Sequence, residues 1–148
     1  MLKEVYQGLR AGNGGAGGSL DNLQGSPLVY EGLLYTVDEK ANLQVFDTAA
    51  KKELYREKLE NPTVSYVTSP GLCASPALAG GRIYVVGDHG DCHVLQPGRE
   101  FKRLATNVLH ARGSAGDKED GMFQSSPWFE GGRVYVKSQL ALYCIGAK

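Results

Sequence analysis

Ser75-Pro76-Ala77-Leu78-Ala79-Gly80-Gly81-Arg82-Ile83-Tyr84 is the stretch that decides the fold, because it occurs three times. Ser26-Pro27-Leu28-Val29-Tyr30-Glu31-Gly32-Leu33-Leu34-Tyr35 carries Ser, Pro, Gly and Tyr at the same offsets. So does Ser126-Pro127-Trp128-Phe129-Glu130-Gly131-Gly132-Arg133-Val134-Tyr135. The Ser-Pro dipeptides start 49 and 51 residues apart. Recurrence at a near-constant spacing marks a supersecondary unit that cannot bury its apolar face alone and must stack on its neighbour.

Each unit reads as short strands. Proline is tolerated at a strand start, where no ladder N–H is needed. Gly32, Gly81 and Gly132 stand where a tight turn follows the first strand. Second strands follow at residues 33–37, 82–86 and 133–136, dense in β-branched and aromatic residues. Ile83-Tyr84-Val85-Val86 is apolar without a break, so both its faces want cover. Third strands are expected at 43–47, 92–96 and 142–145, and fourth strands at 52–56 and 100–104. Lys3-Glu4-Val5-Tyr6 repeats as Lys52-Glu53-Leu54-Tyr55. The chain therefore reads as opening on a fourth strand and closing after a third.

Asp88-His89-Gly90-Asp91-Cys92-His93 gathers metal-ligand residue types in six positions. The repeat places it across a hairpin turn, where Gly and Asp belong because they tolerate positive φ and bond their own backbone. Cys92 and His93 then begin a strand and point to opposite faces. His89, Asp91 and His93 remain the candidate metal set, subject to the convergent geometry that an ion demands.

Composition narrows the function. Lys plus Arg and Asp plus Glu are 16 each, so the formal charge is zero and no basic field favours nucleic acid or an anionic membrane. Hydrophobic residues at 42% support a packed core. No apolar run approaches the ~20 residues of a membrane helix, and Met1-Leu2-Lys3-Glu4-Val5-Tyr6 has no signal-peptide core. Cys73, Cys92 and Cys144 are odd in number and form no CxxC, so they read as scattered buried thiols.

Four-stranded units at this period are those of a β-propeller. The Ser-Pro, Gly, Tyr and turn pattern resembles the pyrroloquinoline-quinone-like (PQQ-like) repeat β-propellers, including quinoprotein alcohol dehydrogenase-like and outer-membrane assembly lipoprotein-like members. Val45-Phe46-Asp47-Thr48-Ala49-Ala50-Lys51-Lys52-Glu53-Leu54-Tyr55 is similar to the family's docking stretch between blades. Leu142-Tyr143-Cys144-Ile145-Gly146 is similar to a final blade of bacterial secreted members, and Arg103-Leu104-Ala105-Thr106-Asn107 to a stretch of the blade before it. Two positions depart from the pattern. Ala50-Lys51 replaces a Thr-Gly turn, which strains Lys51 if φ stays positive, and Tyr55 (with Tyr6 in the partial unit) replaces the docking Trp.

The expected fold is all-β: about three four-stranded antiparallel blades forming a partial propeller over residues 1–148. Residues 1–10 would be the last strand of a preceding blade, 26–60 and 75–109 two blades, and 126–146 three strands of the final one. The resemblance implies a periplasmic or extracellular protein and a segment of a longer one. Catalytic members hold PQQ and calcium near a Trp and an adjacent Cys-Cys pair. This chain has one Trp and no adjacent cysteines, so no catalytic or cofactor residue is carried over. The leading expectation is a non-catalytic scaffold for protein or carbohydrate, with no cofactor. The alternative is a C-terminal fragment of a quinone-dependent alcohol or sugar dehydrogenase. Either self-association or further blades would complete the ring.

The remaining motifs are weaker. Gly12-Asn13-Gly14-Gly15-Ala16-Gly17 spells G-x-G-x-x-G, but Gly25-Ser26-Pro27 stops any helix close behind it and no βαβ unit follows. Asp117-Lys118-Glu119-Asp120-Gly121 lacks the spacing and terminal Glu of a calcium loop. Long connections at 61–72 and 111–121 are the places to seek a binding surface, with Asn61, Tyr66, Arg112, Asp117 and Asp120 as candidate contacts. Trp128 is a candidate stacking residue, although Trp128 and Phe129 after Ser-Pro are expected to pack between blades.

Overall fold

The computed structural model describes residues 25–38, 40–60, 74–109 and 122–146. Every regular element among them is a strand. β1 (Leu28–Tyr30), β2 (Leu33–Val37), β3 (Asn42–Asp47) and β4 (Lys52–Lys58) form one antiparallel sheet in chain order. β5 (Ala77–Ala79), β6 (Arg82–Val86), β7 (Asp91–Leu95) and β8 (Arg103–Val108) form the second, and β9 (Trp128–Glu130), β10 (Arg133–Lys137) and β11 (Leu142–Gly146) the third. The chain is thus an all-β, three-blade part of a propeller. Residues 3–7, the expected fourth-strand sequence, lie outside the described residues.

Local chemistry repeats with the strands. The two-residue turn between first and second strands has positive φ at both positions in every blade: Glu31 and Gly32, Gly80 and Gly81, Gly131 and Gly132. That is the type I′ geometry, whose twist matches the flanking strands. Only blade 1 places a side-chain residue, Glu31, in it. The outer strand pair carries a register shift at Val45/Phe46 in blade 1 and at Val94/Leu95 in blade 2, again 49 residues apart. A bulge there sharpens the twist of the outer strand.

Most strand boundaries lie within two residues of the sequence expectation, and β8 departs furthest. β8 starts at Arg103 rather than at residue 100. Pro97 cannot donate to the ladder, and the Gln96 N–H reaches the Lys102 carbonyl at 3.0 Å, so residues 97–101 form a longer loop than Thr48–Lys51 does in blade 1. In blade 3, Lys137 pairs with Leu142 across four intervening residues, whereas Val37 pairs with Leu43 and Val86 with Cys92 across five, which moves β11 by one place relative to the 51-residue offset.

Each sheet has a leading face, toward the lower-numbered blade, and a trailing face, toward the higher-numbered one. Leu33, Tyr35, Val37, Leu43 and Val45 on the trailing face of blade 1 join Ile83, Val85 and Leu95 on the leading face of blade 2 in one buried cluster. Val86 and Cys92 on the trailing face of blade 2 join Phe123 and Val136 in a second, with Tyr84, Val134 and Tyr143 against it. Ile83, Val85 and Val86 are fully buried, as an unbroken apolar strand between two sheets requires.

Candidate functional site

The turn between β6 and β7 holds the densest chemistry. Its frame is the one that blade 1 uses at Asp38–Asn42, where the Asp38 carboxylate accepts from the Lys40 and Asn42 N–H groups at 2.9 and 2.8 Å and from Asn42 Nδ2 at 2.7 Å. In blade 3, Ser138 Oγ accepts from the N–H groups of Leu140 and Ala141. Blade 2 has Gly87 at the corresponding place. A Cβ built there would lie 2.3 Å from Asp91 Oδ1. The carboxylate that the sister turn carries at its first residue has moved to the last residue, and glycine makes room for it.

Asp91 and His93 share one face of β7 because they are two residues apart. His93 Nε2 lies 2.8 Å from Asp91 Oδ2, and its Nδ1 lies 3.4 Å from the Thr106 hydroxyl on β8. Both side chains are buried, His93 completely. With Nε2–H donating to the carboxylate, Nδ1 is the acceptor for Thr106. His89 stays in the turn, two residues before Asp91. Among the described residues, no three His, Cys, Asp or Glu side chains are grouped as an ion would need. Cys92 projects from the other face, into the cluster shared with blade 3. Burial pushes its thiol up to about 11, with the Asp91 charge adding to the effect. Such a thiol is a packing group, not a nucleophile. Cys144, by contrast, is exposed. Cys73 lies outside the described residues.

Polar side chains also tie blade 1 to blade 2. The Gly98 N–H donates to the Tyr35 hydroxyl at 2.9 Å, and the Tyr55 hydroxyl donates to the Gly98 carbonyl at 3.3 Å. Burial raises Tyr35, against the opposing Gly98 bond, and pushes Tyr55 up to about 12, with the Tyr35 and Glu57 charges contributing. Tyr55 stands edge-on to Phe101 with centroids 6.3 Å apart. It therefore fills the docking role that the resemblance gives to Trp. Asp47 accepts from the Ala49 and Ala50 N–H groups and from Arg99 Nη2 at 2.5 Å. The Ala50 N–H first, then Arg99, hold its carboxyl below the ordinary range. Arg99, Gly98 and Phe101 were not legible as docking residues, since their loop has no counterpart of equal length in blade 1.

The Ser-Pro dipeptides have a structural role that residue types alone did not announce. The Ser26 N–H donates to Ser75 Oγ at 2.8 Å, and the Ser75 N–H donates to Ser126 Oγ at 2.8 Å. Each repeat hands one hydrogen bond to the next along the inner strands. Gly25 lies against the Ala74 backbone, where a Cβ would sit 2.9 Å from the Ala74 carbonyl oxygen.

Trp128 does not pack between the described blades as expected: it is 63% exposed. Register explains why. Phe129 faces blade 2 and meets Tyr84 with centroids 4.7 Å apart, so its neighbour Trp128 must face away. Trp128 pairs with Tyr135 across β9 and β10 at 5.5 Å between centroids, on the trailing face of blade 3. Leu142 shares that face and is 68% exposed. The other sequence candidates, Asn61, Tyr66, Arg112, Asp117 and Asp120, lie outside the described residues.

An all-β stack of two four-stranded sheets and one three-stranded sheet in this order is a piece of a β-propeller. Solved structures of the same fold are quinohemoprotein alcohol dehydrogenases. That from Comamonas testosteroni superimposes with a TM-score of 0.58 at 16% identity over 77% of this chain, and that of ADHIIG from Pseudomonas putida HK5 with 0.56 at 15% over 80%. The chain spans 17% of the length of each. No family model matches the sequence, and no curated protein matches it.

Proposed function

We propose that the chain is a PQQ-like repeat propeller segment that acts as a non-catalytic scaffold, presenting its connections at 61–72 and 111–121 to a protein or carbohydrate outside the cytoplasm. One observation carries this reading. Among the described residues, Asp47 with Arg99 and Tyr35 and Tyr55 with Gly98 tie blade to blade, and His93, bonded to Asp91, ties β7 to Thr106 on β8. Fold alone does not bring catalysis with it.

The second reading, a fragment of a quinone-dependent alcohol or sugar dehydrogenase, is favoured by the fold of the two dehydrogenases above. The residues do not fit the cofactor. Trp128, the one indole available for stacking on a quinone, lies on an open sheet face, and the described residues offer no acidic set for calcium. Titrating the purified chain with PQQ and calcium, with dye-linked oxidation of alcohols and sugars as readout, separates the two. The scaffold reading expects no turnover, together with binding on a panel of glycans and peptides that is lost when Tyr66 or Arg112 is replaced by alanine. Turnover overturns it.

A further inference from the structure

The outer strands β4 and β8 hold the same place in their blades, and only one of them is guarded. The Leu59 N–H donates to the Ala41 carbonyl at 2.8 Å, and the Leu109 N–H donates to the Gly90 carbonyl at 2.8 Å, so the two ladders run in step from these residues. In an antiparallel ladder, backbone groups turn alternately toward the partner strand and away from it. The backbone of Asn107, two residues from Leu109, therefore turns toward β7, and Thr106 and Val108 present their N–H and C=O groups on the outer edge. In blade 1 the same alternation puts Arg56 and Lys58 on that edge. Arg56, Glu57 and Lys58 are all exposed there, and charges along an edge keep other strands away. Blade 2 has Thr106, Asn107 and Val108 in those three places. Leu104 and Val108 are 43% and 45% exposed. Arg103, the one charged residue of β8, is turned onto blade 1, where it donates to the Lys58 and Glu60 carbonyls at 3.2 and 3.1 Å. Among the described residues β8 pairs with β7 alone. A further blade would stack on a face of the sheet and leave this edge as it is.

We propose that the outer edge of β8 takes an extended peptide segment of a partner protein as an added strand of the blade. The Thr106 and Val108 N–H groups donate to carbonyls of the peptide, their carbonyls accept from its N–H groups, and its apolar side chains pack on Leu104 and Val108. The edge sets the chemistry of the partner: an uncharged segment with apolar residues at alternate positions, which matches the exposed side chains of β8 and meets no charge on it. The size of the edge sets its kind. Stable pairing of two folded surfaces takes about 20–30 residues a side, whereas β8 has six residues. At about 3.4 Å per residue they span ~20 Å, the reach of a short linear motif. The proposal does not depend on what the connections at 61–72 and 111–121 bind.

The probe is a fluorescein-labelled octapeptide of alternating threonine and valine. Its fluorescence anisotropy is expected to rise to saturation on titration with the 148-residue chain. Asn107→Glu combined with Val108→Lys copies the Glu57-Lys58 pair of β4 onto two exposed positions, so the variant keeps its far-ultraviolet circular dichroism. Its dissociation constant for the peptide rises about tenfold or more, as for the loss of a central contact. A peptide N-methylated at alternate residues keeps one bonding edge and still binds, and one N-methylated at every residue has none and does not. Absence of saturable binding to the parent overturns the proposal. So does a double variant that binds as the parent does, which would place the contact elsewhere, or a fully N-methylated peptide that still binds, which would remove the main-chain ladder from it. A parent that pairs with itself in sedimentation equilibrium, and is made monomeric by the two substitutions, overturns it as well, because the edge would then belong to a second copy.

Discussion

Replacing Gly87 with alanine tests whether the Asp91–His93 pair is structural. The added Cβ would lie 2.3 Å from Asp91 Oδ1 and 2.9 Å from Cγ, so the carboxylate has to move. Asp91 is 2% exposed and its other oxygen is bound to His93 at 2.8 Å, so it cannot swing into solvent without giving up that bond. Stranding a buried hydrogen-bonding group costs about 1–3 kcal/mol. The cost is larger when the stranded group is a carboxylate. Gly87 has no left-handed φ, so alanine strains no backbone and recovers about 0.4–1 kcal/mol of chain entropy. The expected net loss is about 2–3 kcal/mol, or roughly 5–10 °C in Tm for a chain of this length. Urea and thermal unfolding measure it. Gly98→Ala is the control, because a Cβ there meets nothing within 4 Å, and it should stay within about 0.5 kcal/mol of the parent. In an Asp91→Ala background the obstacle is gone and the Gly87→Ala loss should vanish, giving a coupling of about 2 kcal/mol. A Gly87→Ala protein as stable as the parent, or one equally destabilised in both backgrounds, refutes the reasoning.

Three further outcomes are expected. Lys51 is exposed with φ of 54°, a conformation that costs a side-chain residue about 1–2 kcal/mol. Lys51→Gly should therefore raise stability by about 0.5–1 kcal/mol after the entropy of the unfolded glycine is set against it, seen as a higher urea midpoint. Alkylation followed by peptide mass mapping should label Cys144 in the native protein and Cys92 only on unfolding, since burial holds the Cys92 thiol up at about 11. Asp47 is held low in the folded state, so the unfolded chain binds its proton first as pH falls from the ordinary carboxyl value near 4. Its contribution is present above that pH and is lost as pH drops through the lower folded value. Arg99→Ala should flatten this part of the acid unfolding profile.

Among the described residues, the strands of each blade and the turn positions were open to reading because each is set by local chemistry that recurs with the repeat. Gly81 and Gly132 announce the positive-φ turns, and the unbroken run at Ile83–Val86 announces cover on both faces. The start of β8 was not open to reading. A Pro97-Gly98 loop with no length-matched sister in blade 1 removes the repeat as a guide. Trp128 was misplaced for a related reason. Trp128 and Phe129 are adjacent aromatics, so only one of them can face blade 2, and composition does not say which. The register does, through the pairing of Tyr135 with Trp128 and of Val134 with Phe129.

The six residues 88–93 show how a repeat changes the meaning of reactive side chains. Read alone, two Asp, two His and a Cys suggest coordination. Set beside Asp38–Asn42 and Ser138–Ala141, they are a third solution to one problem: satisfying the backbone of a tight turn between two buried strands. Blade 1 uses the Asp38 carboxylate and blade 3 the Ser138 hydroxyl, each at the first position of the turn. Blade 2 has no side chain at that position, and Asp91 projects into the vacant volume from the other end of the turn. A buried carboxylate needs a partner, because desolvation costs several kcal/mol for an unpaired ion. His93, two residues on and on the same face, is the nearest group that strand geometry can supply. The histidine thus follows from the aspartate, and the aspartate from the glycine. Were His93 instead kept for chemistry, replacing it by glutamine, the residue that blade 1 carries at Gln44 in the same place, would abolish function without touching stability. The reasoning above expects the opposite: His93→Gln keeps a donor for Asp91 and leaves ligand binding intact, whereas His93→Leu strands the carboxylate and lowers stability by about 1–3 kcal/mol in urea unfolding.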